Sequence, residues 1–167
     1  MNSFVDPKND AYILIDAQTQ TLLCYEQDQI VYTYQVSTGK NGLGEQQGSE
    51  CTPRGWHEVY SILGGHYPPN SVFISRKWTG EIYSPALGAL YPGRDWILTR
   101  IIQLDGLEPG RNRGGEVDTL KRYIYIHGTP DTNLMGQPGS RGCIRMHNDD
   151  LISLTKWVSV GTRVCVQ

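Results

Sequence analysis

A thiol attacks a carbonyl as its thiolate. A cysteine suited to acyl transfer therefore needs a base or cation beside it, a dipole to hold the developing oxyanion, and room for substrate. The segment Ser140-Arg141-Gly142-Cys143-Ile144-Arg145-Met146 brings several of these together. Gly142 permits close approach of a substrate, Arg141 and Arg145 add positive charge, and successive backbone N–H groups around Cys143 can form an oxyanion hole. Sixteen positions earlier, His127 closes the run Tyr123-Ile124-Tyr125-Ile126. A strand ending there would present the imidazole at a sheet edge, where it could serve a nearby thiol as general base. Cys and His co-occur in many chains, so the spacing by itself leaves open a nucleophile, an inert buried thiol and a metal site. His147 follows Cys143 by four positions, and with His127 the three can be drawn as zinc ligands. No fourth ligand falls at a recognisable spacing, so neither a metal nor any other cofactor is expected.

The elements that must position these residues read as mainly β. Nineteen glycines punctuate short apolar segments rich in Tyr, Val and Ile. The expected strands are Tyr12–Ile15, Thr21–Tyr25, Gln29–Val36, Trp56–Leu63, Val72–Ser75, Glu81–Tyr83, Trp96–Leu104, Arg122–His127 and Arg163–Val166. One helix is expected, capped by Asn148, with Asp149 and Asp150 at its positive end and Leu151, Leu154 and Val158 on one face. Two Gly-rich loops, Ser37–Glu50 and Asp105–Thr119, are long for so small a domain; the second directly precedes the strand that delivers His127 and reads as a lid or as a plain run of turns.

The remaining cysteines are Cys24, Cys51 and Cys165, and none of the four forms a C-x-x-C. Cys24 and Cys165 lie in strand-like apolar runs and read as core. His57 and His66 read as surface or packed side chains, Arg94 with Asp95 as a surface ion pair or turn, and Trp78 and Trp96 as core or groove packing.

The length of 167 residues fits one domain spanning 1–167. Hydrophobic residues at 38% and charged residues at 19%, without a run of like charge, exclude a solvated disordered chain. A net charge of −2 provides no basic footprint for nucleic acid or an anionic membrane, and no apolar stretch approaches the length of a membrane span. The opening MNSFVDPKND lacks the basic and apolar regions of an export leader, so the expected location is cytoplasmic, or periplasmic if a leader has been removed. Nothing here bears on oligomeric state.

The run Tyr125-Ile126-His127-Gly128-Thr129, followed by Ser140-Arg141-Gly142-Cys143-Ile144-Arg145-Met146, resembles the active-site signature of the L,D-transpeptidase (YkuD-type) catalytic domain, which pairs H-G-T with S-x-G-C-I-R-M. Upstream, Ser37-Thr38-Gly39 and Thr52-Pro53-Arg54-Gly55 resemble the S-T-G and T-P-x-G elements of the same family, and the likeness runs from Tyr12 to Val166. Arg141 departs from the pattern, since many members have His there. The resemblance implies a β-sandwich of mixed sheets with one short helix after the cysteine. It also implies a cysteine enzyme acting on the stem tetrapeptides of peptidoglycan. The thiol attacks the carbonyl at the L-centre of the third residue, usually diaminopimelate, and releases the terminal D-Ala. In this frame Cys143 is the nucleophile, His127 the base, Gly128 the orienter of the imidazole through its carbonyl, and Arg141, Gly142 and Cys143 the oxyanion donors. Ser140 and Arg145 would hold the loop or a substrate carboxylate.

Three functions compete. With water as acceptor the enzyme is an L,D-carboxypeptidase meeting soluble muropeptides, the reading favoured by the expected location. With an amine as acceptor it is an L,D-transpeptidase that forms 3-3 cross-links or exchanges D-amino acids. The non-enzyme alternative is a module that holds peptidoglycan stems without acting on them.

Overall fold

The computed structural model describes residues 11–167. Its strands are β1 (Tyr12–Asp16), β2 (Thr21–Glu26), β3 (Gln29–Gln35), β4 (Gly55–Leu63), β5 (Ser71–Ile74), β6 (Lys77–Ile82), β7 (Ile97–Gly106), β8 (Tyr125–Gly128), β9 (Ile144–Met146) and β10 (Arg163–Val166). Two α-helices accompany them, α1 (Pro85–Leu90) and α2 (Asn148–Trp157). The strands form one mixed sheet in the order β3-β2-β1-β10-β4-β7, from which β7 leads both to the β5–β6 hairpin and to β8 and β9. Two pairings are parallel, β1 with β10 and β8 with β9.

The far end of this path returns to its start. Ser37, just past β3, bridges antiparallel to Arg145 of β9, each donating its N–H to the other's carbonyl at 2.9 Å. The sheet thus closes around an apolar interior. Ile13, Ile15, Leu22, Val36, Ile102, Ile126, Ile144, Met146 and Val164 are fully buried there, and Leu151 and Leu154 of α2 plug it. Each such aliphatic side chain contributes roughly 1.5–3 kcal/mol by leaving water, which makes this interior the main source of stability. The mainly-β architecture with a helix after Cys143 agrees with the sequence reading, and the two layers of the expected sandwich are continuous through β7.

Several local expectations are corrected. The segment Arg122–His127 is strand only from Tyr125 onward, because Tyr123 sits at φ 56° in a turn. Glu81–Tyr83 is the tail of the longer β6, entered by the tight turn Ser75-Arg76, whose φ values of 49° and 65° match the twist of a two-residue hairpin. Strand β9, only three residues long, went unread. Helix α1 went unread; Ser84 caps it, accepting the Leu87 N–H at 3.2 Å, with Pro85 at the first position. His147, not Asn148, holds the cap position of α2, without a side-chain bond to the helix. Cys24 is in the core, whereas Cys165 faces the other side of β10, between buried Val164 and Val166. All four thiols are free.

The loop 105–119, which read as a lid or as a run of turns, contributes no residue to the wall of the cavity that holds Cys143. Asn112 at its centre is buried and donates to the carbonyls of Arg54 and Trp56 at 3.0 Å, while Glu108 accepts the Trp56 N–H at 2.6 Å. This loop braces the start of β4 instead.

His57, on β4, is fully buried, with Nδ1 3.0 Å from the Gly55 carbonyl and Nε2 3.0 Å from Thr119 Oγ1. Burial lowers its pKa from 6.5 to about 4. Between those values the unfolded chain takes up a proton that the folded chain refuses, so stability is intact above pH 6.5 and falls as the pH approaches 4. The loss attributable to His57 is about 3 kcal/mol. Denaturant midpoints measured from pH 7.5 to 4.5 should fall steeply for the natural protein and clearly less for His57→Gln; parallel curves would remove His57 as the cause.

Candidate functional site

The parallel register of β8 and β9 sets Ile126 opposite Ile144, His127 opposite Arg145 and Gly128 opposite Met146. Side chains alternate along both strands. With Ile126, Ile144 and Met146 committed to the interior, Tyr125, His127, Cys143 and Arg145 share the opposite face. There they line one cavity of about 360 Å³, with Arg76, Asp95, Arg122, Tyr123, Ser140 and Arg141 also on its wall. The fold brings together every residue singled out for chemistry in the two signature segments that has a side chain to offer.

The histidine's tautomer follows from its one partner. Nδ1 lies 2.7 Å from the Gly128 carbonyl, which can only accept, so Nδ1 carries the proton and Nε2 keeps its lone pair. Gly128 is required here because a Cβ would collide with Asn148 Oδ1 and with the Leu98 carbonyl. Asn148 is a clamp for this strand end: it accepts from Thr99 Oγ1 at 2.6 Å and donates to the Thr129 carbonyl at 3.0 Å and to Asn70 Oδ1 at 3.2 Å. That is why Asn148 leaves the helix cap unfilled.

The thiol is held as firmly. Cys143 Sγ accepts the Tyr125 N–H at 3.3 Å and donates to the Tyr123 carbonyl at 3.4 Å. Behind it, Ser140 Oγ accepts the Gly142 N–H at 3.1 Å and donates to the Cys143 carbonyl at 2.5 Å. The Gly142 N–H, expected as an oxyanion donor, is therefore already engaged within the loop. Thr52 Oγ1 donates to the Gly142 carbonyl and accepts the Gly39 N–H, both at 2.8 Å. Gly142 has φ 121° and a Cβ there would press on the Cys51 carbonyl, so the packing of the loop itself calls for glycine at this position. The S-T-G and T-P-x-G elements together form a strut beneath the thiol.

Asp95 pairs with Arg145 at 3.1 Å, not with its neighbour Arg94, which pairs with Glu81 at 2.8 Å and lies over the Trp96 ring. Arg145 also donates to the Gly139 carbonyl at 3.0 Å. Arg122 spreads its guanidinium over the carbonyls of Gly44, Glu45 and Cys51, with the last contact at 2.7 Å. Asp95 and Arg76 escaped the sequence reading because each reaches the site from a distant segment, and Arg122 because it read only as the start of the strand that delivers His127. Trp96 lines a second cavity of about 520 Å³ that shares Asp95, Arg141 and Arg145 with the first. His147 lies in a different cavity with Asn70, Asp131 and Asp149, so it does not join Cys143 and His127.

The charge state of the pair follows from burial. It pushes the Cys143 thiol up to about 12, an effect that Asp95 reinforces and the Tyr125 N–H, Arg145 and Arg122 oppose. It also lowers the His127 pKa, against the pull of the Gly128 carbonyl and Asp95. At neutral pH the resting site holds a neutral thiol and a neutral imidazole on the wall of one cavity. The arrangement suits a thiol deprotonated by its neighbour at the moment of attack rather than a standing thiolate.

The model of the YkuD family, the L,D-transpeptidase catalytic domain, matches residues 10–166. YqjB of Bacillus subtilis, named for L,D-transpeptidase activity, is 28% identical over 157 residues, which are 94% of this chain and 71% of that protein. YkuD of Bacillus licheniformis, named likewise, is 29% identical over 154 residues, 92% of this chain and 64% of that protein. An L,D-transpeptidase from Mycobacterium smegmatis superimposes with a TM-score of 0.60 at 18% identity, covering 95% of this chain and 59% of the other. An L,D-transpeptidase solved in complex with imipenem gives a TM-score of 0.58 at 19% identity, with 95% and 59% covered. This chain thus spans about six tenths to seven tenths of the proteins it resembles.

A neutral thiol predicts a definite reactivity. Alkylation of Cys143 by iodoacetamide at pH 7, followed by peptide mass mapping, should run at least about tenfold slower than that of free cysteine and keep rising beyond pH 9. A rate that levels off below pH 7 would show a standing thiolate instead.

Proposed function

Because the chain belongs to the YkuD family of L,D-transpeptidase catalytic domains, we propose that it cleaves peptidoglycan stem tetrapeptides between the L-centre of the third residue and the terminal D-Ala, through a thioacyl intermediate on Cys143. The observation that carries this reading is the placement of His127, on β8, and Cys143, just before β9, in one cavity, with Nε2 unprotonated.

In this reading His127 Nε2 takes the thiol proton as Sγ bonds to the carbonyl carbon, and the N–H groups of Arg141 and Cys143 receive the oxyanion. The imidazolium, steadied by the Gly128 carbonyl, returns the proton to the nitrogen of the departing D-Ala. Sγ is left acylated. His127 then takes a proton from the acceptor, whose oxygen or nitrogen displaces the thiolate, and Sγ is reprotonated.

Water is the proposed acceptor, making the activity that of an L,D-carboxypeptidase. The cavity wall carries Arg76, Arg122, Arg141 and Arg145 against the single carboxylate Asp95, a field that favours an anionic peptide and a neutral acceptor over a cationic amine. Soluble muropeptides in the cytoplasm are the substrates that go with this reading. The second reading, an amine acceptor, draws on the adjoining cavity of about 520 Å³, which has room for another peptide and goes with a periplasmic location.

Incubation with a soluble disaccharide-tetrapeptide, with and without an added D-amino acid, beside Cys143→Ala, distinguishes these by mass spectrometry. The expected outcome is conversion to tripeptide that dominates even with the D-amino acid present and is lost in the variant. Exchange or dimer products in the majority would establish the amine acceptor, and no product at all would return the chain to a binding role.

A further inference from the structure

Four guanidiniums line the cavity of Cys143, and they are not equivalent. Arg145 is neutralised by Asp95, and Arg122 is spent on the carbonyls that hold the loop beneath the thiol. Arg76 and Arg141 remain. Arg76 stands at the turn of the β5–β6 hairpin, where its Nη1 donates to the Tyr125 hydroxyl at 3.2 Å and its guanidinium lies 4.8 Å from the centre of the Tyr123 ring. Arg141 is exposed, two residues before the nucleophile, and lines both the thiol cavity and the adjoining one. Among the described residues neither meets a carboxylate.

The two reach the cavity from different elements, Arg76 from the β5–β6 turn and Arg141 from the loop before β9. Tyr123 and Tyr125, which hold Arg76, are also the residues whose backbone holds Sγ, whereas Arg141 stands where the second cavity opens. Exposed arginines are ordinarily balanced by acidic neighbours or free in bulk water, and a pair facing one concave site without a counter-ion is suited to a ligand that supplies two negative charges. A planar guanidinium matches a carboxylate in two-point geometry, which an amide cannot reproduce.

We propose that Arg76 and Arg141 form a two-point carboxylate clamp that restricts the donor to peptides carrying free carboxylates on both sides of the scissile bond. Arg76 receives the side-chain carboxylate of the acyl residue, and Arg141 receives the terminal carboxylate of the leaving residue. The proposal rests on the peptidase reading above and adds to it the charge state of the substrate. A donor amidated at either position presents a neutral group to a fixed positive charge and binds less well.

The experiment compares kcat/KM for four synthetic donor tetrapeptides, in which the side-chain carboxyl of the third residue and the terminal carboxyl are each free or amidated. They are assayed with the natural protein, Arg76→Gln and Arg141→Gln. Each amidation should cost the natural enzyme about tenfold to a hundredfold, the range of a charge-assisted hydrogen bond. Arg76→Gln should bring the side-chain acid-to-amide ratio close to one while keeping the terminal preference, and Arg141→Gln should do the reverse. Iodoacetamide labelling of Cys143 in each variant reports whether the thiol site is intact. Ratios that survive both substitutions, or natural enzyme that cleaves all four donors alike, overturn the clamp and leave the peptidase standing. Failure to cleave any donor overturns the peptidase reading itself.

Discussion

The parallel pairing of β8 with β9 is the constraint on which the rest of the site depends. A parallel pair cannot be closed by a tight turn, so the chain between Gly128 and Ile144 must make a long excursion and return in register. The return is fixed from outside. Ser37 bridges Arg145, Thr52 grips the Gly142 carbonyl, and Asn148 locks Gly128 against β7. A slip of one residue in β9 would carry Cys143 from the cavity into the interior and bring Ile144 out, at the cost of the aliphatic packing that Ile126, Ile144 and Met146 share. The apolar interior therefore sets the catalytic geometry, although it contains no reacting group.

The electrostatics follow from the same burial. His127 is almost wholly enclosed, which disfavours its charged form, and the Cys143 thiol is held neutral for the same reason. Neither group is activated at rest. In the proposed reaction activation is left to the passage of one proton from the thiol to His127 when a carbonyl approaches, and the bond from Nδ1 to the Gly128 carbonyl keeps Nε2 as the receiving atom. The surrounding charges oppose one another: Asp95 raises the pKa values of both members, while Arg145, its ion-pair partner, lowers both. The pair holds a fixed field across the site without tipping it toward a standing thiolate.

Much of this was legible in the sequence. The apolar runs of β1, β2 and β10 and the helical face of Leu151 and Leu154 follow from local sequence, and the two signature segments placed Cys143, His127 and Gly128 together. What escaped depends on contacts between distant segments. Asp95 read as the partner of Arg94 because adjacency in sequence was the only distance available, and the sheet instead sets it against Arg145. Asn148 has the chemistry of a cap, and only the approach of β7 and Thr129 reveals a better use for its amide. Gly142 read as room for substrate, and the nearby Cys51 carbonyl adds a packing reason that no local pattern shows. The loop 105–119 lies next to the His127 strand in sequence, yet Asn112 anchors it to β4.

The central claim is that the acyl group passes through Cys143. The most direct measurement is intact-mass and peptide-level mass spectrometry of enzyme mixed with a tetrapeptide donor and quenched in acid within the first turnovers. The account predicts an adduct with the mass of the donor less its terminal residue, located on the peptide that carries Cys143 and removed by hydroxylamine as a thioester is. Product formed with no adduct, or an adduct placed on the half-exposed Cys51, would contradict it.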